Sequence, residues 1–589
     1  MKTFILSIVV FSFFLGCAHP QEHAKAINLK TLLEQYSKDY HKLNPLEATF
    51  NGVNDYNDQL AIRIGESYIE NMMALNQKYL DSLIFLDRQG LIDSEQISLD
   101  LFGLKLTQEM EMLGKKFGHF QQGYFYRPVN HFVWSFPQRF AEIVPNIVPL
   151  DYESDYYNFI ERMKVFPSWV DQAIANMNVG LELQNTNPKQ AMERVLDQLK
   201  PIVEEEMDNH PFYKPVLYLP DWLESESKAQ LRAEYKAAIN DFIKPAYKKL
   251  YDYLVSEYIP NAQESAGLIN NKNGIEEYQF WLRFFTNTDL TGDSIFEIGK
   301  NEVQRIRHEM DSLKTAVSFR GDLKDFFHHI RTDPKFFPFT TEQEILDRYR
   351  SFQNAMDTKL KEMFNLTPQA GFKIESRASA ADAEYYGPQD ENGYGIFYVS
   401  VGDPKEYNCF KMESLFLHEA IPGHHFQVAL QIEADIPKFR KSYYDGAYQE
   451  GWGLYAESLG TELGLYKDPY QYMGRLTKEM ERAVRLVVDT GIHSKGWSRE
   501  RAIQYVLDNQ PITESEAELQ VDRYIVIPGQ AVSYKIGELK ILELRTRAEK
   551  QLGDRFDIKD FHDQILKDGV LPLNILEERI NQWIQEKGS

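Results

Sequence analysis

Cysteine is scarce in this sequence of 589 residues, which contains only Cys17 and Cys409. Because Cys17 falls at the end of an N-terminal export signal, Cys409 has no partner for a disulfide bond. A protein without crosslinks relies on its hydrophobic core, and a chain of this length can bury a large share of its surface. We therefore expect the fold to be held by packing alone.

Basic residues are outnumbered, with 65 Lys and Arg against 88 Asp and Glu and a formal net charge of −23 at pH 7. A surface of this sign repels phosphate backbones, so the composition argues against a nucleic-acid partner. The acidic residues are spread along the chain and do not form a tail, which is typical of a charge that maintains solubility.

Long hydrophobic runs are missing after the N-terminus, where no segment offers the ~20 apolar residues that span a bilayer. At the N-terminus, Lys2 precedes a short apolar run that is typical of a signal peptide. The run ends in Leu-Gly-Cys, which resembles a bacterial lipoprotein processing site, although Phe14 replaces the usual Leu. We expect residues 1–17 to be a lipoprotein signal peptide and Cys17 to carry the lipid. Cleavage by ordinary signal peptidase and an uncleaved anchor are the alternatives.

Internal repeats, low-complexity tracts and Ser/Gly linkers are also missing, so we expect residues 18–589 to form one large unit. A helical pattern dominates this unit. Apolar side chains recur at steps of three and four from Leu231 to Leu254, and Pro245 inside that stripe predicts a kink.

Local signals mark where individual elements begin. Thr341 with Glu344, and Thr513 with Glu516, match the capping box that opens a helix. Residues 393–404 are rich in aromatic and β-branched side chains and predict a strand just before the most polar helix. This strand either pairs with an extended peptide or lies inside a sheet.

That helix has the sequence LFLHEAIPGHHFQ, beginning at Leu415. A zinc hydrolase needs three protein ligands, an open position and a base beside a water molecule. In the usual motif a second His follows the first by four residues, but Pro422 stands there. On a straight helix His425 would return to within about 20° of His418. The Pro-Gly pair must break the helix, however, so helical phase does not decide between His424 and His425.

Residues 418–424, HEAIPGH, resemble the HExxPGH signature of the bacterial family called "domain of unknown function 885", which is grouped with the HExxH zinc peptidases. The resemblance implies that His418 and His424 bind a metal ion and that Glu419 is the general base. It leaves His425 to support a ligand or to contact substrate. One Zn²⁺ per chain is expected, although other divalent metals suit the same ligands. A metal-free polar cluster is the alternative, and burying it would be costly.

Residues 448–460, YQEGWGLYAESLG, resemble the segment that supplies the glutamate ligand in zinc aminopeptidases and match the EGWxLYxE pattern of the same family. The resemblance implies that Glu450 is the third ligand. Glu457 follows seven residues later on nearly the same helical face, and we expect it to orient a ligand. A solvated acid on a helix surface is the alternative.

Two later segments also resemble the family and offer groups that could stabilise negative charge on a carbonyl oxygen. The resemblance implies that Tyr524 and His493 stabilise the transition state. It makes Arg523, Tyr534 and Lys535 candidates for binding a substrate carboxylate. Core residues without a catalytic role are the alternative at each position.

The resemblance spans most of the chain and implies a mainly α-helical, bilobed metallopeptidase-like fold with a small β-sheet beside the active-site cleft. Neurolysin, angiotensin-converting enzyme and the thermostable carboxypeptidases are similar in architecture. It implies that residues 18–589 form a zinc-dependent hydrolase that cleaves short peptides in the periplasm, as a carboxypeptidase, dipeptidase or oligopeptidase. Membrane contact would be limited to the N-terminal lipid. An inactive peptide-binding lipoprotein and a hydrolase of non-peptide amides are the alternatives.

Overall fold

The computed structural model describes residues 28–118, 123–378, 382–388 and 393–589. The predicted signal peptide and Cys17 lie outside these ranges. Helices make up most of the described chain and are accompanied by one small sheet, which confirms the predicted mainly α-helical fold. Within these ranges, none of the helices combines the length and apolar character needed to traverse a bilayer.

The α-helices of the described chain follow one another with short connections. Up to residue 286 they are α1 (Leu29–Leu43), α2 (Pro45–Phe50), α3 (Glu66–Leu83), α4 (Asp93–Gly114), α5 (Phe136–Glu142), α6 (Val144–Ile147), α7 (Glu153–Glu182), α8 (Lys189–Glu204), α9 (Lys214–Leu217), α10 (Ser225–Ala238), α11 (Lys244–Tyr253), α12 (Ile259–Asn261) and α13 (Gly274–Thr286). After it they are α14 (Gly292–Ala316), α15 (Leu323–Thr332), α16 (Glu342–Met363), α17 (Met412–Glu419), α18 (His424–Glu433), α19 (Lys438–Lys441), α20 (Gly446–Ser458), α21 (Pro469–Lys495), α22 (Arg499–Asn509), α23 (Glu514–Val526), α24 (Ser533–Leu552), α25 (Ile558–Leu566) and α26 (Leu573–Gly588).

The apolar stripe around Pro245 runs through α10 and α11, which are joined by a π-turn at Ile239–Ile243. The Lys244 N–H donates to the carbonyl five residues earlier. A wider turn at this point accommodates a proline that has no N–H to donate. The irregularity predicted at Pro245 therefore takes the form of a π-turn. Both predicted capping boxes are confirmed at the starts of α16 and α23.

The sheet contains β1 (Phe372–Ser376), β2 (Ala383–Tyr386) and β3 (Gly395–Val399) in the order β1-β3-β2. β3 runs parallel to β1 and antiparallel to β2. The predicted strand is thus β3, and because it is paired on both sides the interior option is confirmed and peptide addition to it is wrong. Its Phe397 ring lies 6.4 Å from that of Phe416 on α17, so the sheet packs on the helix that carries the polar motif.

Buried apolar side chains form three hydrophobic clusters in the described chain. One packs α1, α3 and α4, a second packs α7, α8, α10 and α11, and the largest holds α13 to α26 together with the sheet. The polar motif on α17 lies within the largest cluster. This burial makes each charged side chain near the motif dependent on a specific partner.

Two glycines bring α20 into backbone contact with α24. A Cβ added to Gly451 would lie 2.6 Å from the Cα of Gly537. A Cβ on Gly537 would in turn lie 1.8 Å from the carbonyl oxygen of Ala447. Because only glycine fits at either position, the helix that carries Glu450 is seated at a fixed depth in the core.

Candidate metal centre

The polar motif is built on a broken helix. α17 ends at Glu419 and α18 begins at His424, so the break predicted at the Pro-Gly pair is confirmed. Pro422 has no N–H to continue a helix. Gly423 passes so close to α17 that an added Cβ would lie 1.9 Å from the carbonyl oxygen of His418. The break therefore folds the chain back and brings the start of α18 beside the end of α17.

Two imidazoles and one carboxylate meet at this break. His418 Nε2 lies 3.3 Å from Glu450 Oε2, and His424 Nε2 lies 3.6 Å from the same oxygen. One ligand atom from each of the three residues lies within 4.8 Å of the other two. In a tetrahedral zinc site with bonds of about 2.1 Å, neighbouring ligand atoms are about 3.4 Å apart. The separations fit a small divalent cation, and they join His424, rather than His425, to the cluster.

The charges of the cluster also favour a cation. Burial lowers the pKa of His418, but hydrogen bonds to Glu450 and Glu457 outweigh it and raise this pKa to about 10. Burial opposes ionisation of Glu450 as well, yet its contacts with His418 and His424 hold its pKa well below the ordinary value. Two buried carboxylates thus require positive charge between them, which a divalent ion supplies without protonating the imidazoles.

Glu457 holds the outer side of the His418 ring. Its Oε1 lies 2.8 Å from His418 Nδ1, and its Oε2 accepts a hydrogen bond from Ser414 Oγ. Only 2% of Glu457 is exposed, which excludes the solvated-acid alternative. With Nδ1–H donating to Glu457, the lone pair of Nε2 is free to face Glu450.

Glu419 is half-buried at the end of α17, directly after the ligand His418. Its negative charge helps to raise the pKa of both His418 and Tyr349, so its carboxylate lies near both side chains. Among the residues that the structure describes, no hydrogen bond or ion pair holds that carboxylate. A half-buried, uncommitted acid beside the cluster is suited to accept and return a proton.

The EGWGLYAE segment also supplies two residues that sequence reasoning missed. The indole Nε1 of Trp452 donates to the carbonyl oxygen of Pro422 over 2.7 Å and thereby ties α20 to the break. Gly453 faces the imidazole of His418 without a side chain between them. The glycines on either side of a tryptophan in this pattern were the available signal, since they indicate close approach of the helix backbone.

His425 points to the sheet and not to the cluster. Its Nε2–H donates to the carbonyl oxygen of Ala370 over 3.0 Å, which leaves Nδ1 to accept from the Tyr385 hydroxyl at 2.9 Å. Burial lowers the pKa of His425 to about 4, so the ring is neutral. The predicted contact with substrate does not fit this placement, because both nitrogens already anchor α18 to the sheet.

His493 is likewise committed to the backbone. Its Nδ1 accepts from the Leu268 N–H at 3.2 Å and its Nε2–H donates to the carbonyl oxygen of Tyr524 over 2.9 Å. Burial lowers its pKa to about 4. A neutral, fully bonded ring cannot donate to a developing oxyanion, so His493 instead positions Tyr524. The Tyr524 hydroxyl donates to Gln520 Oε1 over 3.2 Å, and its catalytic role stays a prediction.

Lys535 is 1% exposed and surrounded by carboxylates. Its Nζ lies 2.7 Å from Glu479, 2.7 Å from Glu538 and 3.2 Å from Glu302. The predicted role in binding a substrate carboxylate does not fit this placement, because three protein acids already neutralise the ammonium group. Lys535 is better described as the centre of a buried ion cluster on α24.

Arg523 and Tyr534 lie nearer the proposed ligands. Arg523 is half-buried and donates to Gln530 Oε1 over 3.0 Å, and Tyr534 is buried. Tyr444, which sequence reasoning missed, is 62% exposed. Burial of its hydroxyl and then the charge of Glu450 raise its pKa, and Tyr534 and Arg523 also influence it. These side chains therefore gather on the Glu450 side of the cluster.

Comparison with known proteins gives one family and two similar structures. The family model described as "Bacterial protein of unknown function (DUF885)" matches residues 45–580. A crystal structure described as "the putative lipoprotein from Colwellia psychrerythraea" has a TM-score of 0.82 and 26% identity, covering 95% of this chain and 99% of that one. No curated protein matches the sequence.

The second similar structure is described as "a putative lipoprotein of unknown function from Shewanella oneidensis". Its TM-score is 0.74 at 20% identity, and the match covers 94% of this chain and 99% of that one, which shows a shared fold. Descriptions of both neighbours as lipoproteins agree with the predicted N-terminal lipid. With most of its length matched by the family model, the chain belongs to the bacterial DUF885 family.

Proposed function

We propose that this protein is a metal-dependent hydrolase that cleaves short peptides in the bacterial periplasm. The observation that carries the proposal is the meeting of His418, His424 and Glu450 at separations of 3.3 and 3.6 Å, which fit a tetrahedral zinc site. The uncommitted carboxylate of Glu419 beside them adds the base that such a reaction needs.

The two histidines and Glu450 would hold Zn²⁺, which supplies Lewis-acid polarisation of a carbonyl group and lowers the pKa of a water molecule. Glu457 fixes the tautomer and direction of His418 by accepting its Nδ1 proton. Glu419 accepts a proton from the attacking water and delivers it to the leaving amine. Trp452 keeps the broken helix in the shape that these roles require.

The test is a comparison of Glu419→Gln with the wild-type protein. We expect the variant to retain one equivalent of metal by elemental analysis. Its cleavage of a mixed peptide library, followed by mass spectrometry, should fall by a factor on the order of 10² to 10⁴. Glu586→Gln, a substitution of an exposed acid on α26, should change neither quantity.

Three outcomes are informative. Loss of metal in His424→Ala together with loss of cleavage supports the assigned ligands. Metal binding without cleavage in the wild-type protein would contradict the hydrolase and favour an inactive peptide-binding lipoprotein. Cleavage of non-peptide amides but not of peptides would keep the reaction and change the substrate class.

A further inference from the structure

A row of buried cations lies on α21, in the same core as the metal cluster. Lys478, Arg482 and Arg485 are 7%, 7% and 8% exposed. Their spacing of four and three residues puts them on one face of the helix. Long charged side chains are seldom buried to this degree unless each has a partner. We call these three residues the cationic face.

A single carboxylate serves all three. Glu481 lies 3.3 Å from Lys478, 2.9 Å from Arg482 and 2.6 Å from Arg485. Burial opposes ionisation of Glu481, but the surrounding cations hold its pKa well below the ordinary value. One acid therefore has to balance three cations, which leaves the face short of negative charge.

The neighbouring elements do not make up the difference. Asp382 lies 3.2 Å from Lys478 but also 3.7 Å from a further cation, Lys411. The count is then four cations against two acids. Glu457 also influences Lys478 and Arg482, although both of its oxygens are already engaged at the metal cluster. Even with Glu457 counted, one positive charge remains unbalanced.

Unused donors point to what the face lacks. The Nε atoms of Arg482 and Arg485 are buried and have no hydrogen-bond partner among the described residues. A buried guanidinium nitrogen without an acceptor is costly, so native proteins usually supply one or bind a ligand there. The Arg485 guanidinium also lies 4.5 Å from the ring of Tyr534, which provides a flat apolar wall beside the donors.

We propose that the cationic face binds a carboxylate of the substrate beside the metal cluster. A guanidinium fork recognises a carboxylate through paired, charge-assisted hydrogen bonds, and two such forks stand side by side here. The proximity of Arg482 to Glu457, which orients His418, places this subsite next to the reacting centre. The inference rests on the proposed hydrolase function for the identification of the ligand as a substrate. The carboxylate belongs either to a peptide C-terminus or to an acidic side chain.

The test measures binding and does not depend on turnover. Calorimetric titrations of metal-loaded Glu419→Gln would use three probes: acetyl-trialanine with a free C-terminus, the same peptide as its amide, and acetyl-Ala-Glu-Ala amide. We expect one or both acidic probes to bind at least tenfold more tightly than the neutral amide. The free-acid probe reports a C-terminal subsite, and the glutamate probe reports a side-chain subsite.

Adding Arg485→Met to the Glu419→Gln background should reduce that preference to less than twofold, whereas adding Lys495→Met, on the exposed end of α21, should preserve it. If Arg485→Met does not fold, as judged by circular dichroism, Arg485→Lys keeps the charge, loses the fork and should lower the preference severalfold. Equal affinity for all probes, or no measurable binding of the acidic ones, overturns the subsite.

The two proposals can fail separately. Binding with a strong preference for acidic probes, combined with no cleavage by the wild-type protein, keeps the subsite and rejects the hydrolase. Cleavage of free-acid and amide peptides with the same KM, unchanged by Arg485→Met, keeps the hydrolase and rejects the subsite.

Discussion

Gly453 of α20 lies against the imidazole of His418, so that an added Cβ would stand 2.7 Å from Cε1 and 3.0 Å from Nε2 of the ring. Glycine at this position therefore sets how closely α20 approaches the proposed ligand. We expect Gly453→Ala to displace the ring and to weaken metal binding on the order of 10- to 100-fold, as loss of a supporting contact does elsewhere. Competition with a chelator measures this affinity.

Gly402→Ala is the matched control, because nothing lies within 4 Å of a Cβ added to that exposed glycine. It should leave the metal dissociation constant unchanged. An unaltered constant in Gly453→Ala would show that His418 does not need this approach to bind the ion.

Glu457→Gln tests the support of His418 from its outer side. The substitution keeps the size of the side chain but removes the charge that the Nδ1–H of His418 contacts. We expect metal affinity to fall on the order of 10- to 100-fold. Glu462→Gln, on the surface just after α20, serves as the control. Equal metal affinity in the two variants would argue against a role for Glu457.

Lys535→Met tests whether Lys535 belongs to the core or to the substrate site. Removal of the ammonium group leaves Glu479 and Glu538 buried without their shared partner. We expect the free energy of unfolding to fall by about 3–5 kcal/mol, as for other broken buried pairs. Denaturant titration measures this, with Lys550→Met at the exposed end of α24 as control. A stable variant whose KM alone is raised would return Lys535 to the substrate site.

Asp489 should make stability depend on pH. Burial raises its pKa from 3.8 to about 7, although the Tyr278 hydroxyl and the Gly529 N–H donate to its carboxyl group. Because the folded state holds this proton more tightly than the unfolded state, its contribution is full below about pH 4 and is lost as pH rises to about 7. The loss is at most about 1.4 kcal/mol per pH unit.

Asp489→Asn removes this titration, so its free energy of unfolding should vary less steeply between pH 4 and 7 than that of the wild-type protein. Urea titrations across that range give both slopes. Parallel slopes would show that another group controls stability in this range.

Features that depend on neighbouring residues were predictable from the sequence. The capping boxes, the strand β3 and the break at Pro422 follow from local sterics and hydrogen bonding, and the structure has each of them. The pairing of His424 with Glu450 came from the resemblance to a family pattern, because helical phase alone left His425 open. Local rules could not say how the chain folds back after a break.

Features that depend on distant residues were not predictable. His493 is neutral because it accepts from the Leu268 N–H, which is 225 positions away in the chain. Lys535 is neutralised by acids on α14 and α21 as well as on its own helix. The sequence shows which side chains carry charge, but only the packing of helices shows which charges already have partners.

The three proposed ligands are carried by three helices, α17, α18 and α20, so the ion would act as a rivet through the middle of the largest core. An ion bound only by the native state at a thousand times its dissociation constant stabilises that state by about 4 kcal/mol. Stripping it with a chelator should lower the melting temperature and expose the seam between these helices to proteases. Scarcity of zinc in the cell envelope would then shorten the lifetime of the protein as well as silence it.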